Sequence, residues 1–104
     1  MLKFSTEYRK GILFIRLVGR IDNEGYLDQI NHFLNEIGIQ YVVFNLDKLN
    51  DVSLESVNHI IDYNKQLLKK KKLLIICDAN QKRTRLFKNI IPKISSELEA
   101  FSLI

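Results

Sequence analysis

The chain has 104 residues, of which 46% are hydrophobic and 27% charged, and its formal net charge is +4. This length suits one domain spanning residues 1–104, and no apolar run reaches the roughly 18 residues that would span a bilayer. The single Cys77 excludes an internal disulfide, and no signal-peptide pattern follows Met1. We therefore expect a cytoplasmic protein without a membrane-spanning segment.

The first part of the chain predicts a β-hairpin followed by a helix. Apolar and polar residues alternate over Leu2–Tyr8, as in a strand with one buried face. Arg9–Gly11 predicts a hairpin turn, and a more apolar second strand follows over Ile12–Val18. After a break, Asp22 or Asn23 can cap a helix. The apolar residues of that helix recur at helical spacing and are Leu27, Ile30, Phe33, Leu34 and Ile37, with Gly38 closing it.

The middle of the chain predicts two buried strands on either side of an amphipathic helix. Tyr41–Leu46 and Leu73–Cys77 are apolar on both faces, which is typical of central parallel strands. The polar loop over residues 45–52 precedes Ser53, the expected N-cap of the helix. The residues expected to be buried are Val57, Ile60, Ile61, Leu67 and Leu68, and those expected to be exposed are Asn58, Asp62, Lys65 and Gln66.

The last part of the chain predicts two short helices. Gln81–Asn89 is basic and is limited by Pro92, which cannot continue a helix. Ser95–Phe101 is the last predicted helix, with a serine cap. The element order is thus β-β-α-β-α-β-α-α. It predicts an α/β fold with a mixed four- to five-stranded sheet, an antiparallel N-terminal hairpin and helices packed against the sheet.

The residues that could carry enzyme chemistry do not form a constellation. His32 and His59 both lie within predicted helices, and Cys77 ends a buried strand. Glu97 and Glu99 fit the first turn of a helix better than an acid–base pair. There is neither a zinc-ligand spacing nor a glycine-rich phosphate loop. The sequence therefore predicts no enzyme activity, no metal ion and no cofactor, and favours a binding or regulatory module.

The basic residues raise the alternative of a nucleic-acid binder. Much of the positive charge comes from Lys69–Lys72 and from Lys82, Arg83, Arg85 and Lys88. Binding of that kind would weaken steeply with salt. No matching set of exposed aromatic residues is evident for base stacking, and lysines at a helix end match its dipole. We therefore expect a solvated basic surface and no nucleic-acid partner.

Two segments carry a resemblance to a known family. Gly19-Arg20-Ile21-Asp22 follows the second strand, and Val43-Phe44-Asn45-Leu46 lies in the central strand. In this order and spacing they resemble Gly-Glu-Leu-Asp and Val-Leu-Asp-Leu of the STAS domain. This is the domain of bacterial anti-sigma factor antagonists, related to the cytosolic domain of sulphate transporters. The resemblance covers nearly the whole chain and implies a protein that binds an anti-sigma factor and so frees a sigma factor.

The resemblance also implies a switch at the start of the second helix. The family carries Asp-Ser-Ser-Gly there, and its second serine is phosphorylated by the anti-sigma factor, which is also a kinase. A gap-free alignment from the central strand places this segment on Ser53-Leu54-Glu55-Ser56. Glu55 thus occupies the phospho-acceptor position and cannot be phosphorylated. Three interpretations follow. Glu55 supplies a permanent negative charge that is smaller than the charge of a phosphate, phosphorylation has moved to Ser53 or Ser56, or the domain binds its partner without a switch.

A purely structural interpretation of the same residues remains open, in which Ser53 caps the helix and Glu55 is a first-turn acid that matches the dipole. Carried over position by position, the resemblance implies a partner surface of Asp22, Asn23, Asn50, Ser53, Glu55, Ser56 and Asn58. Ser53 and Ser56 are the candidate phosphorylation sites. The expected partner is an anti-sigma factor of the serine-kinase type, and the chain is expected to be a monomer or a weak dimer.

A second function stays open beside the first. The chain would then be a diverged STAS module for protein interaction or sensing, without sigma control. A neighbouring gene for a kinase-type anti-sigma factor would favour the antagonist, and its absence would favour the diverged module.

Overall fold

A computed structural model describes residues 1–34, 38–80 and 83–103 and contains a five-stranded mixed sheet in the order β1-β2-β3-β4-β5. The first two strands are antiparallel and the others run parallel to the second. The strands are β1 (Leu2–Arg9), β2 (Ile12–Gly19), β3 (Tyr41–Leu49), β4 (Leu73–Cys77) and β5 (Lys93–Ile94). The helices are α1 (Gly25–Leu34), α2 (Leu54–Lys69) and two 3-10 helices, Arg83–Phe87 and Glu97–Leu103. The expected α/β fold with an N-terminal hairpin is confirmed.

The hairpin between β1 and β2 closes through a two-residue turn. Lys10 and Gly11 both have positive φ, 53° and 82°, as a type I′ turn requires. The twist of this turn matches the twist of the strands, so Arg9 pairs with Ile12 and the ladder runs on to Leu2. The register places the alternating apolar residues of β1 on the same face as the helices.

The sheet is covered differently on its two faces. α1 and α2 pack on one face and enclose the larger core, which includes Ile15, Ile30, Phe44, Ile60 and Leu74. The other face carries a smaller core with Ile12, Phe14, Val43, Ile75 and Cys77. Ala100 and Phe101 of the last 3-10 helix pack on this second core, and the Phe14 and Phe101 ring centroids lie 5.7 Å apart. Both faces of β3 and β4 are thereby buried, as their apolar runs predict.

The central strand is longer than predicted. β3 continues to Leu49, three residues beyond Leu46, although Asp47 and Lys48 are exposed. The continuation pairs with Val18 and Gly19 of β2 after a register shift, and the Asn50 N–H donates to the Gly19 carbonyl oxygen at 2.7 Å. The predicted loop is therefore partly strand, because backbone pairing with a neighbour stabilises polar residues that local propensity assigns to a loop.

The buried faces of the helices match the prediction only in part. Val57, Ile60 and Leu67 are buried as expected, but Leu68 is 53% exposed. Tyr63 and Asn64 are buried instead. In the last turns of α2, the side that meets the sheet is therefore shifted by about one residue toward the N-terminus relative to the predicted side. In α1, Leu27, Ile30 and Leu34 are buried, whereas Phe33 is 39% exposed. The prediction for Ile37 lies outside the described residues.

The C-terminal part differs most from the prediction. Both expected helices are 3-10 helices, and β5 between them was not predicted. β5 is only two residues long but is fixed by hydrogen bonds from the Ile76 N–H to the Pro92 carbonyl oxygen and from the Asp78 N–H to the Ile94 carbonyl oxygen. A strand of two residues is too short to show the alternation of apolar and polar residues from which strands are predicted. The part of the predicted basic helix at residues 81 and 82 lies outside the described residues.

Candidate functional site

The candidate site lies where the parallel strands end. The loops that follow β2, β3 and β4 meet at this edge, which is where parallel sheets present binding residues. The Asn50–Gly19 hydrogen bond joins the first two loops, and the Asp47 carboxylate accepts from the Ala79 N–H at 2.6 Å to join the last two. α2 begins directly after the loop that follows β3, so its N-terminus lies among loops that are connected by hydrogen bonds.

Ser53 caps α2 as predicted. Its backbone is extended, with φ −75° and ψ 159°, and its Oγ accepts from the Ser56 N–H at 3.1 Å. The same hydroxyl donates to the Ser56 Oγ at 3.0 Å. One side chain thus satisfies a backbone donor of the first turn and orients a second hydroxyl.

The other predicted residues at this helix start differ in exposure. Ser56 is only 5% exposed, whereas Ser53, Glu55 and Asn58 are exposed. Leu54, the first residue of the helix, is 69% exposed. Within the described part of the chain, Glu55 forms no ion pair. The helix start therefore presents an apolar side chain, a free carboxylate and an accessible serine, while the second serine is hidden.

The predicted residues after β2 are organised around the start of α1. The Asn23 Oδ1 accepts from the Gly25 N–H at 2.8 Å. Because α1 begins at Gly25, Asn23 lies one residue before the N-cap position, and its side chain bonds to the first helical residue rather than to the second or third. Asp22 instead lies 3.4 Å from the N-terminal amine. Next to them, Glu24 lies 3.6 Å from the His59 Nε2 on α2. This contact and the Asn50–Gly19 bond connect the two groups of predicted residues.

Arg83 supports the site, although the sequence suggested only a basic surface for it. Its Nη1 donates to the Leu46 carbonyl oxygen at 2.7 Å and its Nη2 to the Asn50 carbonyl oxygen at 3.3 Å. The guanidinium therefore holds the end of β3 and the loop before α2. A residue 33 positions away in sequence gives no local signal of this role.

A polar network on the other face of the sheet was also not predicted from the sequence. Arg16 donates to both carboxylate oxygens of Glu97, from Nε at 2.9 Å and from Nη2 at 2.7 Å. Asn45 donates to Glu97 at 2.7 Å, and Arg16 Nη2 also donates to Glu7 at 3.0 Å. The hydrogen bond from Arg16 lowers the pKa of Glu97, and the two carboxylates raise the pKa of Arg16. This network fixes the last 3-10 helix to the sheet.

Cys77, Tyr26 and Tyr63 are buried titratable side chains outside this network. Burial raises the pKa of Cys77 to about 12, so its thiol stays protonated. Burial also raises the pKa values of Tyr26 and Tyr63, and the Tyr63 hydroxyl donates to Asn31 Oδ1 at 2.7 Å between the two helices. Among the described residues, no group of three His, Cys, Asp or Glu side chains is placed to hold a metal ion. In the same residues, no helix is long and apolar enough to cross a membrane.

Solved structures resemble this chain over nearly its whole length, while no protein-family model matches it. The anti-sigma factor antagonist SpoIIAA in its unphosphorylated form has a TM-score of 0.72 at 17% identity, over 97% of this chain and 96% of that one. An anti-sigma factor antagonist from Mycobacterium paratuberculosis has a TM-score of 0.74 at 13% identity, over 100% and 94%. The phosphorylated form of SpoIIAA from Bacillus has a TM-score of 0.68 at 16% identity, over 97% and 98%.

These comparisons establish the fold. The chain has the fold of SpoIIAA-type anti-sigma factor antagonists, the STAS fold, so the fold expected from the sequence resemblance is confirmed. At 13 to 17% identity the comparisons do not test individual site residues. Function is carried by sites rather than by folds.

Proposed function

We propose that this protein is an anti-sigma factor antagonist that acts in the cytoplasm and is not itself an enzyme. It binds an anti-sigma factor through the surface around the start of α2 and so frees a sigma factor. The observation that carries the proposal is the exposed N-terminus of α2, capped by Ser53 and preceded by a hydrogen-bonded loop, on a SpoIIAA-type fold. The partner surface consists of Asp22, Asn23, Asn50, Ser53, Glu55 and Asn58, together with Leu54. Ser56, which was expected on this surface, is only 5% exposed and supports it from behind Ser53.

The chemistry of this surface suits a protein partner. Leu54 is an exposed apolar side chain in the first turn, and such a side chain gains free energy when a partner pocket buries it. Glu55 and Asn58 flank it with polar groups that specify orientation. Because Arg83 and the Asn50–Gly19 hydrogen bond already hold the preceding loop, ordering of its backbone adds little to the entropy cost of binding.

The switch that we propose differs from an Asp-Ser-Ser-Gly segment. Glu55 places a permanent charge of about −1 at the helix start, against −1.5 to −2 for a phosphate. A further phosphate fits Ser53 better than Ser56, because Ser53 is exposed and Ser56 is buried behind it. A phosphate on Ser53 would add to the Glu55 charge, change the surface that a partner contacts and replace the hydroxyl that caps α2.

The test combines binding and phosphorylation in the same samples. The protein is incubated with the kinase-type anti-sigma factors of its own genome and ATP. Complexes are measured by calorimetry and modification by intact mass. We expect binding that is weakened by Glu55→Lys but not by Asp62→Lys, which makes the same charge change at another exposed carboxylate of α2. A mass gain of one phosphate that disappears in the Ser53→Ala variant but persists in the Ser56→Ala variant would identify the relocated switch.

The other results separate the remaining interpretations. Binding without any mass gain identifies an antagonist without a phosphorylation switch. Glu55→Ser restores a hydroxyl at the aligned position, and a phosphate at the substituted position would show that the partner's kinase site still reaches it. Neither binding nor phosphorylation with any of these anti-sigma factors would refute sigma regulation and leave the diverged STAS interaction module.

A further inference from the structure

The outer edge of β1 is an unpaired strand edge of unusual regularity. β1 has eight residues and, within the described part of the sheet, pairs only with β2. Long open edges present a row of free backbone donors and acceptors that can pair with another strand. Within the described residues, the edge is not blunted by a bulge or a proline.

The two-residue turn fixes which backbone groups of β1 are free. In such a hairpin the residues that flank the turn exchange hydrogen bonds, and bonded pairs then alternate along the ladder. Arg9, Glu7, Ser5 and Lys3 therefore bond to β2. The N–H and C=O groups of the alternate residues point to the open edge, and these residues are Leu2, Phe4, Thr6 and Tyr8.

We propose that this edge pairs with β1 of a second copy, antiparallel and centred on Ser5, to form a homodimer with a continuous ten-stranded sheet. Centring on Ser5 places Leu2 opposite Tyr8 and Phe4 opposite Thr6 of the second copy. The backbone N–H and C=O groups of all four residues face the second copy, so each donor meets an acceptor in this register. The proposal does not depend on the proposed function.

The charges on β1 are complementary in this register. Lys3 lies opposite Glu7 of the second copy, and the two-fold symmetry makes this pair twice. The pairs fall at non-hydrogen-bonded positions, where side chains approach most closely. Lys3 is exposed and, in the described part of the chain, forms no ion pair, while Glu7 already lies between Arg16 and Arg9 at 3.0 and 3.6 Å.

Other registers are less favourable. A shift of one residue would set outward-facing backbone groups against inward-facing ones and move the side chains to the wrong face. A shift of two residues toward the turn sets Lys3 opposite Arg9, and a shift away from it sets Lys3 opposite Ser5 and shortens the pairing. The charge pattern therefore selects the register centred on Ser5.

The helix-side face of the same edge supports the pairing. A groove of about 250 Å³ lies beside the start of β1, and its lining includes Leu2, Phe4, Tyr26 and Gln29. Tyr8 is 51% exposed, and among the described residues its hydroxyl donates one hydrogen bond, to the Gly38 carbonyl oxygen at 3.5 Å. In the proposed dimer, Tyr8 of the second copy lies beside Leu2 on this face, so its ring is placed to cover the apolar part of the groove.

The test is a charge exchange measured by sedimentation equilibrium from micromolar to millimolar protein. Lys3→Glu and Glu7→Lys should each weaken self-association by about tenfold or more, because both cross-strand charge pairs become repulsive. Mixing the two variants should restore dimers, since every facing pair is then opposite in charge. Lys69→Glu makes the same charge change on exposed α2 and should leave the dimer unchanged.

A second variant tests the backbone pairing. Thr6→Pro removes an outward N–H while leaving the β1–β2 ladder intact, and should abolish the dimer with an unchanged far-UV circular dichroism spectrum. A wild-type protein that stays monomeric at every concentration would overturn the proposal. So would a dimer that survives Thr6→Pro, or two charge variants that fail to associate when mixed, because either result would assign association to another surface.

Discussion

Removal of the Glu97 carboxylate should destabilise the protein through the last 3-10 helix. Glu97→Ala deletes three hydrogen bonds, two from Arg16 and one from Asn45. Hydrogen bonds to charged groups contribute about 1.5–3 kcal/mol each. The simple sum overstates the cost, because the Arg16 side chain is 39% exposed and keeps its contact with Glu7. We expect a loss of about 2 kcal/mol in the free energy of unfolding, which is the contribution of about one such hydrogen bond.

This magnitude is measurable by urea unfolding followed by circular dichroism. A loss of about 2 kcal/mol corresponds to a decrease of about 10 °C in Tm for a domain of this size. Glu99→Ala is the matched control, since Glu99 lies in the same 3-10 helix but bonds to Ser95 rather than to Arg16 or Asn45. The control should keep the network of Arg16 and Asn45. A Glu97→Ala protein as stable as the wild type would show that water replaces the whole network without cost.

The same network predicts a pH dependence with a definite sign. Arg16 lowers the pKa of Glu97 in the folded state, while the pKa of a glutamate in the unfolded chain is about 4.3. The stabilisation by Glu97 is therefore fully present above the unfolded pKa and is lost as the pH falls through the folded pKa. The stability difference between the wild type and Glu97→Ala should shrink in this acidic window. A difference that grows on acidification would contradict the assigned cause.

Two further predictions concern α2 and β4. Ser53→Ala should lower the free energy of unfolding by about 1 kcal/mol because the α2 cap is lost, whereas Ser53→Asp should retain most of the stabilisation by the cap. Equal losses for the two variants in urea unfolding would rule out capping as the cause. Cys77, whose pKa burial raises to about 12, should resist a thiol reagent in the folded protein and react on unfolding in urea. Rapid labelling of the native protein would indicate that the end of β4 opens.

The candidate site was predictable from sequence where its signals are local. Ser53 was identified as a cap because a small polar residue directly preceded an amphipathic helix, and the contact lies only three residues ahead. The burial of Ser56 was not predictable, because it depends on how α2 lies on the sheet. Arg83 and Glu97 act across 37 and 81 residues, and no spacing within a short window encodes such partners.

The sequence by itself determined the order of the main elements, a hairpin turn within Arg9–Gly11, and the two strands that are apolar on both faces. These follow from local dihedral preferences and from the period of burial. Tertiary structure decided the extension of β3 to Leu49, the existence of β5 and the conversion of the last helices to 3-10 form. Each of these depends on backbone pairing or packing with distant segments, whose stabilisation outweighs the weak local preference of the residues involved.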